Sequence, residues 1–265
     1  MVRAGIRLAA LAGRPELYGP TEIDGHAVPP GEAFPGPGCT GPMAELLRAH
    51  AGRLVHKWEH YLGIYDRYLA PFRAGFVAPE GMRPLRLLEI GVFQGGSLEL
   101  WRGYFGPQAV IFGVDIDPRC AAFDGPAARV RIGSQTDAGF LRAVVAEMGG
   151  VDVVIDDGSH VARHQRASLE TLFPLLPQGG LYMVEDTHTA YFPGWHEGGY
   201  RRSGSFIEFT KALIDDLHGQ WHGRAPAAPW AVGGLTGLHV HDSVVVLDRA
   251  TKPPLRHGMV GTPGI

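Results

Sequence analysis

The chain has 265 residues, 45% hydrophobic and 19% charged, with a formal net charge of −3. That length can bury a sizeable core, and the near-neutral charge excludes a strongly basic face for nucleic acid or an anionic membrane. Cys39 and Cys120, the two cysteines, supply neither a disulfide framework nor a metal-ligand spacing, which fits a reducing, cytoplasmic setting.

No apolar run approaches the ~20 residues of a membrane span, and the short apolar part of Met1–Arg14 is broken by arginine, unlike a signal peptide. Residues 1–42 read as an arm outside the main core. Their stretch 19–42 is rich in proline and glycine (Pro29-Pro30-Gly31, Pro35-Gly36-Pro37-Gly38), which forbids a continuous helix or a central strand. Residues 43–80 read as a helical cap, with helices over Met43–Arg53 and Lys57–Ala70. In the second, Trp58, Tyr61, Leu62, Tyr65 and Leu69 recur at helical spacing, a stripe suited chiefly to core packing; with Lys57, its Trp58, Tyr61 and Tyr65 could also form a wall of the acceptor pocket.

From residue 81 to 250 the pattern is that of an α/β domain: apolar run, glycine or acidic turn, amphipathic helix. Strands are expected at Leu85–Ile90, Val110–Asp115, Ala128–Ile132, Val151–Asp156 and Leu181–Glu185. The helices between them fall near Leu98–Tyr104, Ala138–Met148 and His160–Phe173, followed by Ser205–Leu217. Two further strands, Leu238–His241 and Ser243–Leu247, are joined by so sharp a turn that they suit an antiparallel pair closing the sheet. Residues 251–265 form a tail.

The first strand runs into Glu89-Ile90-Gly91-Val92-Phe93-Gln94-Gly95-Gly96-Ser97. Glycines here let backbone approach a ligand where a Cβ would clash. The second strand ends in Gly113-Val114-Asp115-Ile116-Asp117, and an acid at that point can accept hydrogen bonds from both hydroxyls of a ribose. Gly133-Ser134-Gln135-Thr136-Asp137 follows the third strand, where an adenine would lie. No basic residue stands in the glycine turn to receive a pyrophosphate, so S-adenosylmethionine is the expected cofactor. Its candidate contacts are Glu89, Gly91, Gly95, Ser97, Asp115, Asp117, Ser134 and Gln135.

The next two strands also end in acids: Val151-Asp152-Val153-Val154-Ile155-Asp156-Asp157-Gly158-Ser159-His160 and Leu181-Tyr182-Met183-Val184-Glu185-Asp186. If these strands are parallel neighbours, about 4.8 Å apart, their carboxylates meet at one rim. Acids that close must share protons or a cation. Hard oxygen ligands at Asp157, Glu185 and Asp186 make a divalent-metal site, with His160 beside it as general base. Alone, His160 would read as a helix-start residue bonded to a local carbonyl; beside two acid clusters the balance reverses.

The segments LLEIGVFQGGSLELW, GVDIDP, DVVIDDGSH and YMVEDTHTAY resemble the magnesium-dependent O-methyltransferases that modify deoxysugars on macrolide and aromatic polyketide antibiotics, over roughly residues 55–250. Related to them is a cephalosporin-biosynthesis group once described as hydroxylases. The resemblance implies a doubly wound, Rossmann-like seven-stranded sheet (the class I methyltransferase fold) with strands four and five adjacent. It implies that Asp157, Glu185 and Asp186 hold Mg²⁺, that His160 is the catalytic base, and that Asp156 joins Glu89, Gly91, Asp115 and Ser134 at cofactor positions. The implied acceptor is a sugar hydroxyl, deoxysugar or rhamnosyl, of a glycosylated polyketide or similar natural product. Family members are commonly homo-oligomers, so a dimer or tetramer is expected, with no nucleic-acid or membrane partner.

His188, close after Asp186, is the fallback proton acceptor. His160 and His164 with Asp157 could instead be drawn as a two-histidine, one-carboxylate site for a redox metal, which makes a hydroxylase or oxygenase the alternative. A catechol-type O-methyltransferase would use the same metal logic on two vicinal oxygens. Residues 187–203 mix glycine with Tyr191, Phe192, Trp195 and Tyr200, a composition suited to a lid over the acceptor or to a packed surface loop.

Overall fold

A computed structural model describes residues 33–262 and 264. Most of the expected arm therefore lies outside the described residues. Its last part is pinned to the first helix, α1 (Pro42–Ala49), where the Arg48 guanidinium donates to the carbonyls of Pro35, Gly36 and Cys39.

The second helix, α2 (Glu59–Leu69), is followed by a small antiparallel hairpin, β1 (Phe76–Ala78) and β2 (Gly81–Arg83), that the sequence pattern did not announce. Three-residue strands are too short to carry a legible alternation. Then come β3 (Arg86–Ile90), α3 (Gly96–Phe105), β4 (Val110–Asp115), β5 (Arg129–Ile132), α4 (Ala138–Met148), β6 (Val153–Asp156), α5 (Ala162–Leu172), β7 (Gly180–Val184), α6 (Phe206–Leu217), a short turn of helix α7 (Gly219–His222), β8 (Leu235–His241) and β9 (Val244–Arg249). Caps explain several boundaries: Asp137 accepts from the Phe140 N–H at the start of α4, Ser205 from the Glu208 N–H at the start of α6, and left-handed Gly149 closes α4.

Seven strands form one sheet in the order β5-β4-β3-β6-β7-β9-β8. The first five are parallel, and β9 runs antiparallel to both β7 and β8. Alternate strand residues bury on opposite faces. Leu87, Val153, Ile155 and Met183 face α1, α2 and α3, whereas Leu88, Val154, Tyr182 and Val184 face α4, α5 and α6. Helices on both faces are what an apolar parallel sheet requires. The expected cap over 43–80 is thus part of one sheet layer: Met43, Tyr61, Leu62, Tyr65 and Leu69 share a core with the strands.

The strand order reverses between β3 and β6, and ligands of open α/β sheets bind outside such a switch point at the carboxyl ends of the strands. Two boundary shifts matter there. The first helix ends at Ala49 rather than Arg53, and α2 begins at Glu59 rather than Lys57. Lys57 and Trp58 consequently enter in non-helical chain, with Trp58 extended at φ −75°, ψ 139°.

Candidate active site

β6 pairs with β7 so that Asp156 stands opposite Val184. Asp157, Glu185 and Asp186 follow directly, and the two acid clusters meet at one rim as the strand pattern requires. Gly91, at φ +94°, makes the neighbouring turn possible: a Cβ there would lie 2.1 Å from the Asp157 carbonyl oxygen.

One carboxylate oxygen each from Asp157 and Asp186 and a ring nitrogen of His160 all lie within 4.8 Å of one another, a group able to hold a metal ion. His160 Nε2 is 3.6 Å from Asp186 Oδ2. The His160 ring is buried, and its Nδ1 has no hydrogen-bond partner among the described residues. Both His160 and Asp186 have φ +54°, in the left-handed region that histidine and aspartate tolerate better than most residues. The His160 carbonyl accepts hydrogen bonds from Thr189 Oγ1 (3.2 Å) and Trp195 Nε1 (2.9 Å), so residues of the 187–203 segment hold His160 in place.

Glu185 is turned differently. Its Oε2 accepts from Lys57 Nζ at 2.7 Å and its Oε1 from the Tyr65 hydroxyl at 2.7 Å. The same Lys57 Nζ lies 2.6 Å from Asp157 Oδ2. Two carboxylates therefore converge on one positive charge. Among the described residues Glu185 is not in the three-residue metal group, because Lys57 and Tyr65 hold its carboxylate. Asp186 Oδ1 accepts from Tyr61 OH (2.7 Å) and Trp58 Nε1 (3.2 Å). Of these four donors, Trp58, Tyr61 and Tyr65 belong to the stripe whose spacing suits core packing, with a pocket wall that includes Lys57 as the other reading. Buried tyrosine and tryptophan need polar partners, and that requirement was the available signal.

Electrostatics follow the geometry. Burial disfavours the charge on Lys57, but Asp157, Glu185 and Glu89 outweigh it and hold the ammonium well above its ordinary pKa. Burial pushes the Glu185 carboxyl up, against the pull of Lys57. Burial also opposes the charge on Asp186, yet His160, His188 and the Tyr61 hydroxyl together keep its pKa below the usual value. His188 lies on the far side of Asp186, its Nδ1 3.9 Å from Oδ1 and bonded to the Ser243 hydroxyl. Burial lowers its pKa.

On the other side of the switch point, Glu89 is fully buried and accepts from Ser97 Oγ (2.8 Å) and Trp101 Nε1 (2.9 Å). Burial raises it to about 7, opposed chiefly by Lys57. Asp115 accepts from the N–H groups of Val92, Phe93 and Asp117. It thereby closes the glycine turn over the tip of β4, with Phe93 and Ile116 exposed on either side. Gly95 is left-handed at φ +76° and starts α3.

Four of the expected cofactor contacts are engaged by other partners. Asp156 is fully buried among Ser168, Gln135 and Tyr182, where it fastens β6 to the α5 layer. Gln135 turns inward with it, its Oε1 accepting from the Ser159 N–H. Asp117 caps the turn after β4 and pairs with Arg119. Ser134 stays at the surface, bonded to Thr136. His164 Nδ1 is engaged by Ser159 Oγ at 2.9 Å and lies outside the metal group, which removes the geometry of a two-histidine site.

No family model matches the chain. Over 220 residues, 79% of this chain and 54% of the relative, it is 40% identical to the 8-demethyl-8-(2-methoxy-alpha-L-rhamnosyl)-tetracenomycin-C 3'-O-methyltransferase of Streptomyces olivaceus. The chain is a homologue of natural-product sugar O-methyltransferases. It is also 36% identical over 201 residues to the mycinamicin VI 2''-O-methyltransferase of Micromonospora griseorubida, covering 70% of this chain and 47% of that one. Among solved structures, the MycE methyltransferase of the mycinamycin biosynthetic pathway, in complex with Mg, SAH and mycinamycin VI, superposes with a TM-score of 0.66 at 33% identity. That match covers 79% of this chain and 53% of the other. The homologue thus has the class I methyltransferase fold, and it spans about half the length of the curated relatives it matches.

Proposed function

We propose that the chain transfers a methyl group from S-adenosylmethionine to a sugar hydroxyl of a glycosylated polyketide or similar natural product, with Mg²⁺ at the rim of β6 and β7. The observation that carries this reading is the convergence of Asp157 and Glu185 on buried Lys57, with Asp186 and His160 grouped beside Asp157. The donor set fits a hard dication: carboxylate oxygens supply the negative charge, and Lys57 already occupies the position of a shared positive one. Asp157 and Asp186 would hold the ion directly, with Glu185 available as the third oxygen ligand once Lys57 yields it.

Bound there, the metal would supply Lewis-acid polarisation of the acceptor oxygens, and the cofactor an electrophilic methyl group. The residues do the rest. His160 Nε2 takes the proton from the attacking hydroxyl, and Asp186 beside it stabilises the imidazolium that results. Thr189 and Trp195 fix the position of His160, so the proton acceptor is in place before the acceptor sugar arrives. Glu89 would supply negative charge toward the cationic end of the cofactor, and Asp115 an acceptor for its ribose hydroxyls. The exposed side chain of Ile116, next to Asp115, offers an apolar surface to the adenine.

The test is methyl transfer from labelled S-adenosylmethionine to a panel of glycosylated polyketides, with and without chelator. Product that disappears on chelation and returns with Mg²⁺ supports the reading. Transfer indifferent to chelator would overturn the metal role, and a phenolic acceptor methylated in preference to every sugar would overturn the substrate class.

A further inference from the structure

The chain has three lysines, Lys57, Lys211 and Lys252. Lys211 is an exposed partner of Glu208, and Lys252 donates to the carbonyl of Leu217. Lys57 alone of the three is buried, in front of a helix whose next two turns supply Tyr61 to Asp186 and Tyr65 to Glu185. Its position between Asp157 Oδ2 (2.6 Å) and Glu185 Oε2 (2.7 Å) is too central for a surface ion pair. On its other side lie the faces of Tyr65 and Trp101, with Nζ 5.7 and 6.0 Å from the ring centroids. Trp101 in turn donates to Glu89 on the cofactor side. An ammonium leaving the rim acids therefore has two aromatic faces beside it.

We propose that Lys57 is a resident counter-cation of the rim, holding Asp157 and Glu185 together before metal arrives and withdrawing from them as a divalent cation binds. This rests on the metal reading given above. The physical reason is that buried acids so close cannot remain uncompensated. Lys57 supplies one positive charge, keeps the ligands convergent, and must be displaced electrostatically by a dication. Lys57 is thus a positioning residue that also sets metal affinity. A flexible amine on a four-carbon stem can swing between two sets of partners, which a planar guanidinium in the same place could not.

Two readouts test this on the full chain. Magnesium binding is measured by calorimetry for the unaltered protein, Asp157→Asn, Lys57→Met and Lys57→Gln. In parallel the ζ-ammonium resonances of ¹⁵N-lysine-labelled unaltered protein, three signals to assign, are followed through a Mg²⁺ titration. The expectation is that Asp157→Asn loses binding, that removing the Lys57 charge tightens it at least about tenfold, and that the Lys57 resonance moves with the calorimetric midpoint. If the unaltered protein and Asp157→Asn bind equally or not at all, the metal reading itself falls. If binding depends on Asp157 but either folded Lys57 variant binds no tighter, the counter-cation is overturned while the metal site stands. Should neither variant fold, a Lys57 resonance unmoved at saturation overturns it instead.

Discussion

Glu89 and Glu185 are both fully buried carboxylates at the tips of parallel strands, and they are satisfied in opposite ways. Glu89 takes its hydrogen bonds from Ser97 and Trp101, neutral donors 8 and 12 residues downstream on the helix that its own strand runs into. Glu185 takes its own from Lys57 and Tyr65, 128 and 120 positions away. Glu89 is thus satisfied within one β-turn-α unit, whereas Glu185 is satisfied only where the segment from Lys57 to Tyr65 docks on the sheet. Asp186 obeys the same division, held by Trp58 and Tyr61 from that segment.

The comparison can be broken most forcefully at the base. His160→Ala is expected to lower turnover by about 10²–10⁴-fold with cofactor binding unchanged, read from kcat and calorimetry on the same preparation. Loss of cofactor binding in that variant would mean that the two halves are not separable. The next effect is a pH dependence at Glu89. Glu89 is raised to about 7 from an ordinary 4.5, so the folded protein holds a proton there that the unfolded chain releases. Its contribution makes stability fall as pH rises from the ordinary value to about 7, and level off beyond. A cationic ligand prefers the ionised form, so cofactor affinity should rise about tenfold between pH 6 and pH 8. In Glu89→Gln that rise should vanish.

The smallest effects sharpen the division. Tyr65→Phe removes a donor from Glu185, and Ser97→Ala removes one from Glu89. Each should cost about 1–3 kcal/mol in chemical denaturation. Their ligand effects should separate: Tyr65→Phe changes Mg²⁺ affinity and spares the cofactor, and Ser97→Ala does the reverse. Equal effects of both variants on both ligands would erase the distinction.

The same division explains what could be read from the sequence. Strands β3, β4, β6 and β7 were legible because each is a short apolar run ending in glycine or acid, and the adjacency of β6 and β7 brings Asp157 to Glu185 and Asp186. The glycine turn, Asp115 and His160 were found for the same local reason. Trp58, Tyr61 and Tyr65 read chiefly as a packing stripe, and with Lys57 only loosely as a pocket wall, because their partners lie in a different part of the chain. Both roles are real, since Tyr61 and Tyr65 are buried in the core and end in hydroxyls bonded to acids. Asp156 misled in the opposite direction. It is the last residue of β6, where a ligand contact is common, yet the alternation of the strand points it toward Ser168 and Tyr182 in the layer below.

The account stands most directly on where a dication binds. Crystals grown with Mn²⁺ and measured at its absorption edge should show one anomalous peak at about 2.0–2.2 Å from carboxylate oxygens of Asp157 and Asp186, with Lys57 Nζ drawn away from Asp157. A peak elsewhere, or an undisturbed Lys57 bridge with no peak at saturating metal, would contradict it.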